Sequence, residues 1–82
     1  MAKVKIYTTI YCPFCIRAKM LLDSKGIRYE EVAVDDAPEL REEMRTLSGR
    51  HTVPQIFIDN TPIGGCDELY QLESQGKLEH LL

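Results

Sequence analysis

Two cysteines separated by two residues, Cys12-Pro13-Phe14-Cys15, have the spacing that most directly predicts chemistry in this sequence. They lie where an alternating apolar stretch gives way to a helical pattern that begins at Pro13, so Cys12 precedes the first turn of a helix. Residues three apart lie on one face of a helix, with Cβ atoms roughly 5 to 6 Å apart. A small adjustment brings two such sulfurs into disulfide range. The spacing therefore predicts a pair that cycles between dithiol and disulfide.

The two thiols are expected to differ in reactivity. The amide N–H groups at the start of a helix have no partner inside the helix, and together with the helix dipole they favour a thiolate beside them. Cys12 lies at this position and is predicted to be the nucleophile. Cys15 lies one turn inside the helix and is predicted to be the resolving thiol, which attacks a mixed disulfide formed on Cys12.

Two alternatives to redox chemistry are weaker for this pair. A zinc site needs four ligands, and the remaining candidates, Cys66, His51 and His80, show no paired ligand spacing. A purely structural disulfide between cysteines this close would constrain the unfolded chain little. No metal site is therefore predicted.

Length and composition restrict the function further. The 82 residues favour one domain, 1–82, with a modest core, and no apolar run approaches the roughly 18 residues of a membrane span. The chain has three cysteines, an odd number that favours a reducing compartment, and the cytoplasm is the predicted location. The net charge of −3 argues against a nucleic-acid partner, although residues 1–28 carry six Lys or Arg against one Asp.

The periodicity predicts a βαβ unit followed by a second helix. Residues 3–8 form the first strand, a helix from Pro13 is stopped by Gly26, and residues 29–34 form a parallel second strand. The group Asp36-Ala37-Pro38-Glu39 has the pattern of a helix start with an Asp cap. This second helix, with Leu40, Met44 and Leu47 at core spacing, is expected to end at Gly49.

The second half predicts a hairpin and a final helix. Strands at residues 55–58 and 62–63 are separated by the turn-forming group Asp59-Asn60-Thr61. A helix then begins near Cys66 and Asp67 and ends at Gly76. The tail, 77–82, is expected to form a further helical turn packed by Leu78, Leu81 and Leu82.

Three motifs in register give the chain a resemblance to the glutaredoxin family, specifically to its small bacterial dithiol members. They are Cys12-Pro13-Phe14-Cys15, Thr52-Val53-Pro54-Gln55-Ile56-Phe57-Ile58 and Ile63-Gly64-Gly65-Cys66-Asp67-Glu68. The resemblance implies an α/β thioredoxin-like fold: a four-stranded mixed sheet of order 2-1-3-4 with helices on both faces.

The resemblance also implies an activity. A chain of this kind is expected to be a monomeric, glutathione-dependent thiol–disulfide oxidoreductase that reduces protein disulfides and mixed disulfides with glutathione. Two alternatives remain open: a homodimer that carries an iron–sulfur cluster, and a redoxin reduced by thioredoxin reductase. Pro13 and the second cysteine disfavour the cluster carrier by analogy.

The family pattern further implies a cis Val53-Pro54 bond and a set of glutathione-binding residues. These residues are Phe14, Arg41, Thr52, Val53, Pro54, Gly65, Cys66 and Asp67. The sequence departs from the family at Thr9, where many relatives carry Lys, and at Tyr11, where Thr is common. The positive charge near the cysteines is then expected from Arg17, Lys19 or the helix end, and Cys66 is expected to be a small buried residue.

Overall fold

A computed structural model describes residues 2–82. Met1, the first residue of the predicted domain 1–82, lies outside the described residues. The helices and strands follow in the order β1 (Val4–Thr8), α1 (Pro13–Ser24), β2 (Glu30–Ala33), α2 (Pro38–Ser48), β3 (Gln55–Ile58), β4 (Thr61–Gly64), α3 (Cys66–Ser74) and the 3₁₀ turn Glu79–Leu81. None of the helices formed within residues 2–82 has the length and apolar character needed to cross a membrane.

The four strands form one mixed sheet in the order β2-β1-β3-β4, as expected. β1 runs parallel to β2 and antiparallel to β3, and β4 returns antiparallel to β3. The β3–β4 turn is shorter than predicted: Asp59 and Asn60 have φ angles of 50° and 68°, while Thr61 already pairs with Ile58. Positive φ at both central residues is the geometry of a two-residue hairpin turn.

Helices cover both faces of the sheet, because the strands alternate two apolar sets. Val4 and Ile6 of β1 face α1 and α3, where the larger cluster includes Leu22 and Leu69. Tyr7 faces the opposite side. There it forms a smaller cluster whose other buried members are Val34, Met44 and Phe57.

Three details of the predicted helices were wrong. Asp36 does not cap α2, because it adopts a left-handed φ of 52° one residue too early, and the N-cap is Ala37, with no side-chain cap. Leu47 is 54% exposed, because the small cluster around Met44 does not extend to the last turn of α2. In the tail Leu78 is fully buried, whereas Leu81 and Leu82 are each 39% exposed. A three-residue 3₁₀ turn is too short to bring either against the core.

The difference in burial between Leu69 of α3 and Leu47 of α2 gives a stability prediction. Leu69→Ala removes a fully buried side chain and is expected to lower the free energy of unfolding by about 2 to 5 kcal/mol. The matched control is Leu47→Ala, the same chemical change at an exposed position, where we expect a change within about 0.5 kcal/mol. Urea unfolding measures both, and equal losses would contradict the packing described here.

Candidate active site

Cys12 lies at the junction between β1 and α1 and is the N-cap residue of that helix. Its backbone is extended, Pro13 occupies the first helical position, and the Cys12 sulfur accepts a hydrogen bond of 3.1 Å from the amide of Cys15. A sulfur that accepts from a free amide at a helix start carries negative charge more easily. The structure thus places Cys12 as the sequence predicted, and its thiol is 7% exposed.

The loop that carries Cys12 is held by the neighbouring β2–α2 connection. The amide of Ile10 donates to both carboxylate oxygens of Asp35 at 3.1 Å. The amide of Val34 donates to the carbonyl of Thr8 at 2.8 Å. These bonds fix the entry to α1 from outside the helix, so the position of Cys12 does not depend on α1 alone.

Cys15 has a different environment, because its side chain is only 1% exposed beneath Cys12. Burial, followed by the hydrogen bond with Cys12, raises the pKa of the Cys15 thiol to about 12. Burial disfavours a thiolate because the charge loses its hydration. At neutral pH Cys15 is therefore a protonated thiol.

The loop before β3 borders the cysteine pair on one side. The Val53-Pro54 peptide bond is cis, as the resemblance implies, and the carbonyl oxygen of Val53 lies 3.8 Å from the Cys12 sulfur. Gln55 supports this loop from below: its buried side-chain amide donates to the Thr52 carbonyl at 2.9 Å and to the Thr52 hydroxyl at 3.2 Å.

Two glycines bring the start of α3 against the same loop. Gly64 has a φ of +119°, and a Cβ there would lie 2.6 Å from a carboxylate oxygen of Glu68. A Cβ on Gly65 would lie 3.2 Å from the Pro54 carbonyl. The Glu68 carboxylate accepts hydrogen bonds from the Gly65 amide at 2.6 Å and from the Arg50 guanidinium at 3.1 Å. These two contacts lower the pKa of Glu68, the amide of Gly65 having the larger effect.

The loop and the start of α3 enclose a groove of about 210 Å³, here called the Val53 groove. Its lining residues are Phe14, Arg50, Thr52, Val53, Pro54, Gln55, Gly65, Cys66, Asp67 and Glu68. Seven of the eight predicted glutathione-binding residues line this groove. Arg41 does not; it is exposed on α2.

Arg50, Gln55 and Glu68 line the Val53 groove although the sequence did not single them out. Glu68 could have been found, because an acid three residues after an N-cap is a recognised capping pattern. Gln55 is a polar residue in an otherwise apolar strand, which is a weaker signal. A single Arg in a loop carries no signal of its own.

The cations expected to replace a lysine at position 9 already have partners. Lys19 pairs with Glu31 at 2.9 Å, and the same carboxylate oxygen accepts from the Thr8 hydroxyl at 2.7 Å. The guanidinium of Arg17 lies 5.4 Å from the ring centroid of Tyr70. The helix end, through the Cys15 amide, is therefore the group in direct contact with the Cys12 sulfur.

Cys66 is the third free thiol and lies at the first position of α3. It is 5% exposed, and burial raises the pKa of its thiol. The expectation of a small buried residue is confirmed. Among the side chains of residues 2–82, no group of three or more His, Cys, Asp or Glu lies close enough together to hold a metal ion.

Comparison with known proteins identifies relatives of the whole chain. A sequence model of the family described as Glutaredoxin matches residues 4–63. Glutaredoxin 3 of Escherichia coli strain K12 is 56% identical over 82 residues, covering 100% of this chain and 99% of that protein. The solution structure of a glutaredoxin from Brucella melitensis superposes with a TM-score of 0.88 at 54% identity, covering 100% of this chain and 89% of the other.

A crystal structure of a buckwheat glutaredoxin–glutathione complex also matches. It superposes with a TM-score of 0.91 at 32% identity and covers 99% of this chain and 76% of the other. These matches confirm the thioredoxin-like fold that the resemblance implied.

The pKa of Cys15 gives a prediction about alkylation. A thiol with a pKa of about 12 is ionised to roughly one part in ten thousand at pH 8, and only the thiolate reacts with iodoacetamide. We expect Cys12→Ser to lower the alkylation rate at pH 8 by roughly 100-fold or more. The residual rate should rise with pH, because burial raises the pKa of both remaining thiols, Cys15 and Cys66.

Mass spectrometry of the alkylated peptides locates the modified cysteine. The control, Cys66→Ser, keeps the pair intact and should react as fast as the unsubstituted protein. Rapid modification of Cys15 at pH 8 would contradict the difference between the two thiols.

Proposed function

The chain belongs to the glutaredoxin family, and on that premise we propose that it is a glutathione-dependent thiol–disulfide oxidoreductase. Its substrates would be protein disulfides and mixed disulfides of proteins with glutathione. One observation carries the proposal: the Cys12 sulfur, activated by the Cys15 amide at 3.1 Å, lies 3.8 Å from the Val53 carbonyl beside the Val53 groove. The nucleophile and a place for a thiol tripeptide are thus adjacent.

Cys12 is the nucleophile in this proposal. Its thiolate attacks the glutathione sulfur of a mixed disulfide, a bond forms between the two sulfurs, and the protein thiolate leaves and takes a proton from solvent. A second glutathione thiolate then attacks the sulfur of glutathione bound to Cys12. Glutathione disulfide leaves, and Cys12 returns as the thiolate. The amide of Cys15 stabilises this charge before and after each step.

Cys15 is the resolving thiol for protein disulfides. A protein that is bound to Cys12 through one sulfur is released when Cys15 attacks the Cys12 sulfur, which oxidises the pair. Two of the causes that raise the pKa of Cys15, the hydrogen bond and the charge of Cys12, end once Cys12 is in a mixed disulfide. Cys15 thus becomes easier to ionise when its attack is needed.

Glutathione is a γ-glutamyl-cysteinyl-glycine tripeptide with a carboxylate at each end. We propose that the backbone of Val53 pairs with its cysteinyl part, between Thr52 and Pro54, and that Phe14 forms an aromatic wall. The amides of Cys66 and Asp67 open α3 and suit the γ-glutamyl carboxylate, because a helix N-terminus favours an anion. The Asp67 carboxylate suits the neighbouring amine, and the absence of a side chain at Gly65 keeps the approach open. The buckwheat glutaredoxin solved in complex with glutathione supports a glutathione site in this chain.

The glycyl carboxylate needs a cation. Arg41 is predicted for this role by the family pattern, but it does not line the Val53 groove. Arg50 does line it and is, among residues 2–82, the groove's one cationic lining residue, although it is 3.1 Å from Glu68. Both side chains are exposed and long enough to move. Arg50 is therefore a second candidate, and substitution distinguishes the two.

The oligomeric state, location and partners of the protein are also part of the proposal. We propose that residues 1–82 act as one domain, as a monomer in the cytoplasm, with protein substrates and glutathione as partners. The two alternatives predict different observations. A cluster carrier purified without oxygen would be a coloured dimer, and a redoxin of the other class would be reduced by NADPH and thioredoxin reductase without glutathione.

The roles of the two thiols are tested with matched serine variants in an assay coupled to glutathione reductase and NADPH. Cys12→Ser should lose turnover of a small glutathione mixed disulfide by roughly 1,000-fold or more, because no other thiol is placed to attack. Cys15→Ser should stay within about threefold of the unsubstituted protein, which is under about 1 kcal/mol in the barrier. Without glutathione, the pre-reduced unsubstituted protein should reduce one protein disulfide per chain by oxidising its cysteine pair, and pre-reduced Cys15→Ser should stop at the mixed disulfide on Cys12. Activity that survives in Cys12→Ser but not in Cys15→Ser would reverse the assigned roles.

The cation at the glycyl carboxylate is tested by Arg50→Gln and Arg41→Gln, which remove the same charge on and off the groove. Because Arg50 lines the groove, we expect its substitution to have the larger effect and to raise the KM for glutathione about tenfold. That figure is the effect of losing a hydrogen bond to a charged group worth about 1.5 kcal/mol. The kcat should change little in both variants. A larger rise in Arg41→Gln would assign the role to Arg41 instead.

A further inference from the structure

A second groove, here called the Tyr11 groove, lies on the other side of Cys12. It encloses about 720 Å³, more than three times the Val53 groove. Its lining residues are Thr8, Thr9, Ile10, Tyr11, Lys19, Glu31, Ala33, Asp35 and Asp36. No residue lines both grooves. In the chain, Cys12 lies between Tyr11, which lines one groove, and Phe14, which lines the other.

Hydrogen bonds and an ion pair hold the polar side chains that line the Tyr11 groove. Glu31 accepts from Lys19 and Thr8, so its charge is already paired. Both oxygens of the Asp35 carboxylate accept from the amide of Ile10, which is an uncharged donor. Within residues 2–82, no ion pair involves Asp35 or Asp36. The groove therefore presents two negative charges on a fixed support.

The rim of the Tyr11 groove is apolar and faces solvent. Ile10 is 70% exposed and Tyr11 is 91% exposed, although the peptide bonds place their Cα atoms within about 7.6 Å of that of Cys12. Exposed apolar and aromatic side chains beside a reactive group are typical of a surface that binds another chain.

Chemistry decides which part of a substrate reaches this groove. When Cys12 attacks a mixed disulfide whose glutathione half lies in the Val53 groove, the leaving protein thiol must extend away from that groove. The Tyr11 groove includes the residue that precedes Cys12 and shares no described lining residue with the Val53 groove, so it is a neighbouring groove that such a segment can reach. A second glutathione molecule is a poor occupant, because its two carboxylates would face Asp35 and Asp36. A cationic segment is complementary to both charges.

We propose that the Tyr11 groove docks the polypeptide segment that flanks the oxidised cysteine of a protein substrate, and that it selects segments carrying Lys or Arg near that cysteine. Ile10 and Tyr11 contact apolar atoms of the segment, while Asp36, and Asp35 beside it, attract the basic side chain. The inference rests on the proposed function, since it assumes that glutathione occupies the Val53 groove. The Tyr11 groove would make the protein prefer some protein substrates over others, and it would not affect turnover of small disulfides.

The test uses three glutathionylated hexapeptides that differ only at the two positions beside the cysteine, which carry Lys, Gln or Glu. At low ionic strength we expect kcat/KM to be at least fivefold higher for the Lys peptide than for the Glu peptide. The preference should shrink in 1 M salt, where the screening length falls to about 3 Å. A small glutathione mixed disulfide is measured in parallel.

Asp36→Asn and Asp36→Lys test the groove directly. Asn also tolerates the left-handed φ of 52° at this position, so Asp36→Asn should fold. The preference should fall below twofold in Asp36→Asn and reverse in Asp36→Lys, with the small disulfide unaffected. Glu39→Gln removes the same charge from α2 outside the groove and should leave the preference intact. Tyr11→Ser should raise the KM of all three peptides.

Two results would overturn the proposal while leaving the proposed function in place: equal kcat/KM for the three peptides, or a Lys preference that survives in Asp36→Lys. Failure to turn over the small disulfide would instead refute the proposed function. A binding measurement separates docking from turnover. Amide shifts of Ile10, Tyr11 and Asp36 should respond to the Lys peptide with its cysteine replaced by Ser, and no response would also overturn the proposal.

Discussion

The hydrogen bond from the Cys15 amide to the Cys12 sulfur determines where most of the molecule has to be. It exists only if Cys12 is the N-cap of α1, so β1 must end a few residues earlier and the intervening loop must be held from outside. The Asp35 carboxylate, which accepts from the Ile10 amide, and the Val34 amide, which donates to the Thr8 carbonyl, hold that loop. The surrounding structure is arranged around one amide and one sulfur.

Much of the site could be predicted from the sequence because its parts are encoded locally. Cys12 and Cys15 are separated by only two residues in the chain. Gly26 and Gly49, which the sequence marks as helix ends, have the positive φ values expected there. The fold order followed from periodicity, but the strand order 2-1-3-4 came from the resemblance. What could not be predicted depends on distant neighbours. Leu47 has core spacing, yet only the size of the cluster around Met44 decides that it is exposed.

Arg50 and Asp36 show the same limit in different ways. Arg50 enters the Val53 groove because Glu68, eighteen residues later, pairs with it. Asp36 matches a capping pattern, but its left-handed backbone leaves the cap position to Ala37. The acidic side chains that follow β2 lie beside the first third of the chain, which is rich in Lys and Arg. The side chains of Lys19 and Glu31 join the two parts in one ion pair.

Glu68 connects three separate tasks through one carboxylate oxygen. That oxygen caps the Gly65 amide, pairs with Arg50, and occupies the space that a Cβ at position 64 would need. The effects of substitutions at positions 64 and 68 are therefore not independent: shortening Glu68 removes the contacts of 2.6 and 2.7 Å with its carboxylate oxygen and Cγ, while the contact of 2.9 Å with its Cβ and the strain of a φ of +119° remain. A side chain at position 64 is therefore less destabilising in a variant in which Glu68 has already been shortened and α3 has lost its cap. The order in which substitutions accumulate would then decide which sequences of this segment are reachable.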